Sequence, residues 1–233
     1  MESIDKLPGT FDKRIGEGKA TVPPAVIKRL PRYHRCLTDL IREGRMRISS
    51  KDLSEIMEVT ASQIRQDLNC FGGFGQQGYG YNVKYLHAKI SELLGVTDGY
   101  TAVIVGAGNL GRALAATHMF ERRGVRRLAL FDVNPEIIGT EICGLPVLSV
   151  DDIEGFVRDN AVDIGVLTVP KEAAYDVAVR MARAGVRGFW NFANMELKLD
   201  NPDILVENVH MGDSLMTLCY AIKNKAAKEE ENA

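Results

Sequence analysis

Apolar and polar positions change texture once along the chain. From Pro24 to Arg42, Val26, Ile27, Leu30, Leu37, Leu40 and Ile41 can share one helical face, and Pro31 either kinks that helix or makes it start after Leu30. Ile48 leads into Ser49-Ser50-Lys51-Asp52. Ser49 or Ser50 is a natural N-cap there, and from Ser49 the Asp52 carboxylate stands at N3 in a loose capping box. Leu53, Ile56 and Met57 make a small apolar face, and Glu58-Val59-Thr60 forms a turn. Thr60 or Ser62 caps a second short helix with Ile64 and Leu68 inward and Gln63, Arg65, Gln66 and Asn69 outward. Glycines then crowd the stretch from Gly72 to Gly80, interleaved with Phe71, Phe74, Tyr79 and Tyr81, which predicts a β-hairpin. Gly95-Val96-Thr97-Asp98-Gly99 reads as a turn-rich linker.

Past that linker come short apolar runs rich in β-branched residues: Thr101–Val105, Arg127–Phe131, Val162–Val169, Val186–Phe192 and Ile204–Val206. Helical patterns intervene at Leu110–Arg123, Val150–Asp159 and Lys171–Ala184, an alternation that predicts βαβ units and a parallel sheet. A last helix begins at Met211-Gly212-Asp213, with Leu215, Met216, Leu218, Cys219 and Ile222 apolar. It either lies on its own sheet or forms a dimer contact. The predicted fold is therefore α/β. A winged helix-turn-helix domain spans residues 22–96, and a Rossmann-like parallel-sheet domain with a C-terminal dimerisation helix spans 97–225. Residues 1–21 follow neither period and read as a disordered extension, and 226–233 as a flexible charged tail.

Composition narrows the function classes. Of 233 residues, 45% are apolar and 26% charged, enough apolar surface for packed cores. No apolar stretch approaches the length of a membrane span, and the polar N-terminus carries no secretory h-region, so a cytoplasmic protein is expected. The four cysteines are scattered without metal or redox spacing, and no metal site is expected. A net charge of −2 argues against a general polyanion coat. Locally, however, Pro23–Ile48 holds seven Lys/Arg against two acids, the footprint of a polyanion partner.

That footprint gives the two short helices a purpose. A helix fits the DNA major groove, and Gln, Asn and Arg make bidentate contacts to base edges. The candidate DNA-binding residues are Thr60, Ala61, Ser62, Gln63, Arg65 and Gln66 on the second helix, and Arg47, Ser49, Ser50 and Lys51 at the first. The hairpin tip adds Gln76, Gln77 and Tyr79.

Gly106-Ala107-Gly108-Asn109-Leu110-Gly111 follows a strand pattern and opens a helix pattern, the context a dinucleotide fingerprint requires. Asp132 stands twenty-one residues after Gly111, where a ribose-binding acid belongs, with Val133 beside it. NAD(H) is favoured over NADP(H), because a carboxylate repels a 2′-phosphate. S-adenosylmethionine and coenzyme A could use the same turn. Later strand ends, Thr168-Val169-Pro170 and Asn191-Phe192, should line the crevice, and neither offers a general acid or base. About 130 residues follow the linker, room for one dinucleotide unit and no substrate domain, so the cofactor reads as a signal. No catalytic residue is expected. The rival readings are a regulator of another nucleotide, such as coenzyme A, and a small NAD-dependent oxidoreductase.

Together these segments resemble the Rex redox-sensing transcriptional repressors of bacteria. The resemblance runs from about residue 22 to 225 through Val26–Tyr33, Ile48–Leu53, Val59–Gly80, Gly106–Gly111, Asp132–Gly139, Leu167–Pro170 and Asn191–Ala193. It implies a homodimer with a swapped last helix that binds palindromic operators and releases them when NADH binds. It also places Met211 beside the nicotinamide and matches Arg35 to a coupling arginine. This chain departs from the family in having Gln76-Gln77 where wings commonly carry Lys or Arg, and His210 where an acid often opens the last helix. Each lost phosphate contact should flatten the salt dependence of DNA binding by about one unit of slope.

Overall fold

A computed structural model describes residues 22–72, 75–76 and 80–231. The extension 1–21, the hairpin positions Phe74, Gln77 and Tyr79, and residues 232–233 lie outside the described residues. The chain forms two compact units, divided between Leu94 and Gly95.

In the first unit α1 (Pro24–Ile27) and α2 (Leu30–Arg42) replace the single expected helix. Pro31 has no N–H and would collide with the carbonyl of Ile27 in a continuous helix. The chain therefore breaks ahead of it, and Pro31 takes the first turn of α2, where no N–H is needed. After β1 (Arg47–Ile48) comes α3 (Ser50–Met57). Ser49 Oγ accepts the Asp52 N–H at 3.0 Å and the Asp52 carboxylate accepts the Ser49 N–H at 3.4 Å, so Ser49 is the cap and the box closes. The α3 helix ends at Glu58 in left-handed conformation, and Thr60 caps α4 (Ala61–Asn69). The wing is β2 (Gly75–Gln76) antiparallel to β3 (Gly80–Asn82), and β3 also pairs with β1. Gly80 has φ +68°, and a Cβ there would stand 2.6 Å from the Ile48 carbonyl oxygen, so only glycine lets the wing close on β1.

The helix α5 (Val83–Leu93) was not expected from the pattern. Asn82 caps it, and Val83, Leu86 and Ile90 join Leu30, Tyr33, Leu37 and Leu40 of α2 in the core. Ile27 and Ile56, expected on apolar faces, are about half exposed. Both helices are too short to bury more than one narrow stripe.

The second unit has a seven-stranded sheet of β4 (Tyr100–Val105), β5 (Val125–Asp132), β6 (Glu141–Ile142), β7 (Leu145–Ser149), β8 (Ile164–Leu167), β9 (Gly188–Asn191) and β10 (Leu205–Asn208). Their spatial order is β10-β9-β8-β4-β5-β7-β6, parallel except for the β6–β7 hairpin. The order reverses between β4 and β8, the switch point beside which such sheets bind ligands at their carboxyl ends. The β6–β7 hairpin went unread. Its turn is Cys143-Gly144, both with positive φ, a two-residue turn of the twisted kind that hairpins favour.

The crossovers are α6 (Asn109–Ala116), α7 (Ile153–Asn160) and α8 (Lys171–Ala184). The α6 helix stops seven residues short of the expected end, which puts His118 in the following turn, outside the helix. The turn swings Phe120 into the core, its ring edge-on to Trp190 at 6.0 Å. The last helix, α9, runs Met211–Glu231, so residues 226–231 are helical where a fraying tail was expected. Ala, Lys and Glu dominate that stretch and have high helix propensity.

Candidate dinucleotide crevice and DNA-reading face

At the carboxyl end of β4 the chain turns through Gly106, whose N–H is bonded to the Phe131 carbonyl at 2.7 Å. Gly106 has φ +97°, and a Cβ would lie 2.7 Å from the Thr168 carbonyl oxygen. At Gly111 a Cβ would fall 1.8 Å from the Gly106 carbonyl oxygen, so α6 can approach the strand only as glycine. Gly108 differs: nothing stands within 4 Å of its virtual Cβ. The space above it is open, and it borders Asn109, exposed, and Leu110, half-buried, at the helix start. The first helical bond runs from the Arg112 N–H to the Gly108 carbonyl at 2.9 Å, which leaves the earlier N–H groups for an anion.

Asp132, at the end of β5, accepts the Ala107 N–H on Oδ2 at 2.6 Å and the Asn134 N–H on Oδ1 at 2.9 Å. Each oxygen keeps lone-pair capacity for a ribose hydroxyl. Val133 beside it is exposed. Across the switch point the Thr168 hydroxyl faces the Val105 and Gly106 carbonyls at 2.9 and 2.8 Å and ties β8 to the glycine turn. Val169 is half-buried and Pro170 exposed. Phe192 is half-buried, its ring edge-on to Trp190 at 4.6 Å.

Asn191 corrects the expected set. It is fully buried, and its amide donates to the Met195 carbonyl at 3.0 Å and to Asn208 Oδ1 at 2.8 Å while accepting the Ala193 N–H at 3.0 Å. Both amide hydrogens are spent inside the fold and the side chain is closed to solvent, so it shapes the strand end. Met211 is exposed and opens α9 beyond the edge strand β10, two strands from β8. His210 Nε2 lies 2.9 Å from Glu196 Oε1, and Arg35 is exposed on α2.

Arg112 was missed. Its side chain curls back along α6, and Nε donates to the Ala107 carbonyl at 2.7 Å. The guanidinium therefore braces the glycine turn and brings a full positive charge to it. Arg112→Ala should weaken dinucleotide binding about tenfold, the scale of one charge-assisted hydrogen bond, in a calorimetric titration with NADH.

In the first unit, α4 presents Ser62, Arg65, Gln66 and Asn69 to solvent. Arg65 donates to Ser50 Oγ at 3.1 Å and so joins the middle of α4 to the start of α3. Lys51 and Arg47 are exposed beside them, Thr60 caps α4, and Ala61 is half-buried. Gln63 is turned partly inward and donates an amide hydrogen to Asp67 Oδ1 at 2.8 Å, whereas Ser62, Arg65 and Gln66 point outward.

Asp67 was also missed and is 1% exposed. Arg29 grips it with Nε at 2.7 Å and Nη2 at 2.6 Å, and the Tyr33 hydroxyl donates at 3.0 Å. Burial pushes the carboxyl's pKa up, but bonds from Arg29, Gln63 and Tyr33 outweigh it, and the net shift is downward. The α4 helix is thereby locked to the segment behind it through Arg29 and Tyr33. The only signal in the sequence was a single acid among the polar positions of a helix facing a basic segment.

Residues 97–195 match the family "CoA binding domain", and residues 21–69 match the family "Putative DNA-binding protein N-terminus". The chain is 48% identical to the redox-sensing transcriptional repressor Rex of Caldanaerobacter subterraneus subsp. tengcongensis, over 89% of this chain and 92% of that protein. It is 51% identical to the Rex repressor of Clostridioides difficile, over 88% and 98%. The crystal structure of RSP in complex with β-NAD+ and operator DNA superposes with TM-score 0.83 at 47% identity, covering 90% of this chain and 96% of that one. RSP in complex with β-NADH gives TM-score 0.83 at 44% identity, covering 90% and 98%.

Proposed function

Because the chain belongs to the Rex family of redox-sensing transcriptional repressors, we propose that it represses genes according to the NADH/NAD+ ratio and leaves its operator when NADH binds. The observation that carries this reading is the pairing of a winged helix with a glycine turn open at Gly108, in a chain about half identical to Rex repressors over most of its length. The cofactor crevice is the loop Gly106–Gly111 with Asp132, Val133, Thr168, Val169, Pro170 and Phe192. Two donors already hold the Asp132 carboxylate in place, so its charge is fixed at the ribose end and disfavours a 2′-phosphate.

The chain works as a homodimer whose last helix crosses to the partner. Met211, Leu215, Met216, Leu218, Tyr220 and Ile222 are each more than half exposed on α9, an apolar surface that a second copy covers. A two-fold dimer also presents two reading helices to two half-sites. The nucleotide is a signal, not a reagent. The strand ends at the crevice bear Thr, Val, Pro and Phe, and the protein catalyses no reaction. Its place is the cytoplasm, with operator DNA and NAD(H). No described helix is long and apolar enough to cross a membrane.

Release requires NADH to bind the DNA-free state more tightly than the DNA-bound one. A full switch of occupancy from 99:1 to 1:99 takes a preference of roughly 10⁴-fold. Reciprocity demands that operator DNA weaken NADH binding by the same factor. Anisotropy of a labelled inverted-repeat operator, titrated with NADH and in parallel with NAD+, tests the reading. NADH should free the DNA at concentrations where NAD+ leaves the complex intact. Release by coenzyme A and not by NADH would transfer the sensor to that ligand.

A further inference from the structure

Two histidines meet at the seam between α2 and α5, apart from the dinucleotide crevice and from the DNA-reading residues. His34 and His87 stack with ring centroids 4.3 Å apart and planes 35° from parallel. Four hydrogen bonds frame them. The Thr38 hydroxyl donates to the His34 carbonyl at 2.8 Å, and the Ser91 hydroxyl donates to the His87 carbonyl at 2.9 Å. Across the seam, Thr38 Oγ1 lies 3.0 Å from His87 Nε2, and Ser91 Oγ lies 3.0 Å from His34 Nε2. Each helix thus repeats one pattern, a histidine followed four residues later by a hydroxyl, and each ring takes the hydroxyl of the opposite helix. A hydroxyl has one hydrogen, and both are committed to carbonyls. All four bonds exist together only when each ring carries its hydrogen on Nε2. Each ring then gains a proton at Nδ1, and a proton there breaks none of the four bonds.

The cost of protonation is therefore electrostatic. Both rings are half-buried, and two imidazoliums at this distance repel. Burial lowers the pKa of His87. Along α2 the pair is flanked by Arg35 and Asp39, both exposed, and along α5 by Lys84, exposed, and by Lys89, which pairs with Glu92 at 2.6 Å. The segment before α2 brings Arg29, already committed to Asp67, and β3 brings Tyr81, whose phenol burial pushes up. The α3 helix brings Lys51, Asp52 and Glu55, all exposed and screened by water. We propose that His34 and His87 form a proton-sensitive clasp that loosens the first unit in mild acid, an input separate from the nucleotide. The two rings titrate as one coupled pair. Folded, the pair binds fewer protons than two free imidazoles, whose pKa is about 6.5. Its stabilisation is therefore complete above that value and declines as pH falls below it. The seam bears on the DNA-reading face because Tyr33, on the same helix as His34, holds Asp67 of α4.

Amide hydrogen exchange on the full chain without nucleotide tests the clasp at about pH 7.5 and about pH 5.5, with rates corrected for the intrinsic effect of pH. The proteins are wild type, His87→Gln and His34→Gln. Glutamine brings a donor to the region of Nε2 and does not titrate, so it can keep the bond across the seam. The readout is the change in protection between the two pH values, so a variant less stable at both still reports. Protection of residues 87–94 should fall about tenfold more in wild type than in either variant. That factor corresponds to one proton fewer on the folded pair over about one pH unit. Residues 177–184 of α8 are the control and should change alike in all three proteins. An equal fall at residues 87–94 in wild type and both variants overturns the clasp. So does a wild-type fall there no larger than in α8. Flattening by one variant alone overturns the pair and leaves a single half-buried histidine as the cause.

Discussion

Gly108→Val is expected to fold, to bind operator DNA as the parent does, and to ignore NADH. Its backbone has φ −74° and ψ −166°, an extended conformation that valine adopts readily. Nothing in the fold stands within 4 Å of the added Cβ. The isopropyl group instead fills the space through which a pyrophosphate reaches the first N–H groups of α6. Overpacking of that kind should weaken NADH binding by about a hundredfold or more. Gly111→Ala is the contrasting control. Its methyl would collide with the Gly106 carbonyl oxygen at 1.8 Å, so the turn itself must open and the unit loses stability. Calorimetric titration with NADH, beside operator anisotropy without nucleotide, reads both effects. A Gly108→Val protein that still releases DNA on NADH addition would show that the crevice lies elsewhere.

Asp67→Asn should cost the first unit about 3 kcal/mol, because it leaves Arg29 and the Tyr33 hydroxyl facing an amide in place of a carboxylate. Asp67 is 1% exposed while the Arg29 side chain keeps 34%, so water recovers part of the loss and the lower end of the usual range applies. For a unit of this size the midpoint of thermal unfolding should fall by roughly 10–20 °C. Operator affinity should fall too, because α4 loses its tie to α1 and α2, while NADH binding at the other unit stays unchanged. The effect has a pH signature. The folded carboxyl titrates below its unfolded value of about 3.9, so its stabilisation is complete above that value and is lost as pH falls through the lower, folded one. Wild type and Asp67→Asn should therefore differ at neutral pH and converge in strong acid. Calorimetric scans of the full chain at the two pH values check this.

Much of this architecture was legible because its signals are local. Ser49 and Thr60 mark helix starts by chemistry that acts within three residues, and both caps form. Alternation of apolar runs with helical patterns carried the parallel sheet, and Lys171–Ala184 forms α8 at both expected boundaries. The glycine turn was readable because Gly106 and Gly111 each answer a steric demand of the fold, while Gly108 leaves open space above the turn. What escaped depends on tertiary partners. The apolar positions of α5, Val83, Leu86 and Ile90, are few, and they acquire meaning only against α2. Asp67 looks like any polar helical residue until Arg29, thirty-eight positions away, folds onto it. Asn191 stands at a strand end, where ligand contacts are expected, and nothing in its neighbours tells that Asn208 will claim its amide.

The bare face of α9 also sets how the repressor answers to its own abundance. With Leu215, Met216, Leu218, Tyr220 and Ile222 uncovered, a single chain is an incomplete object. Under the proposed dimer, assembly and operator competence are one equilibrium that depends on protomer concentration. Below the dissociation constant of the dimer, halving the number of chains removes roughly three quarters of the assembled repressor. A cell that dilutes this protein by growth would thus relieve repression more steeply than dilution alone dictates, before any change in its nicotinamide pool.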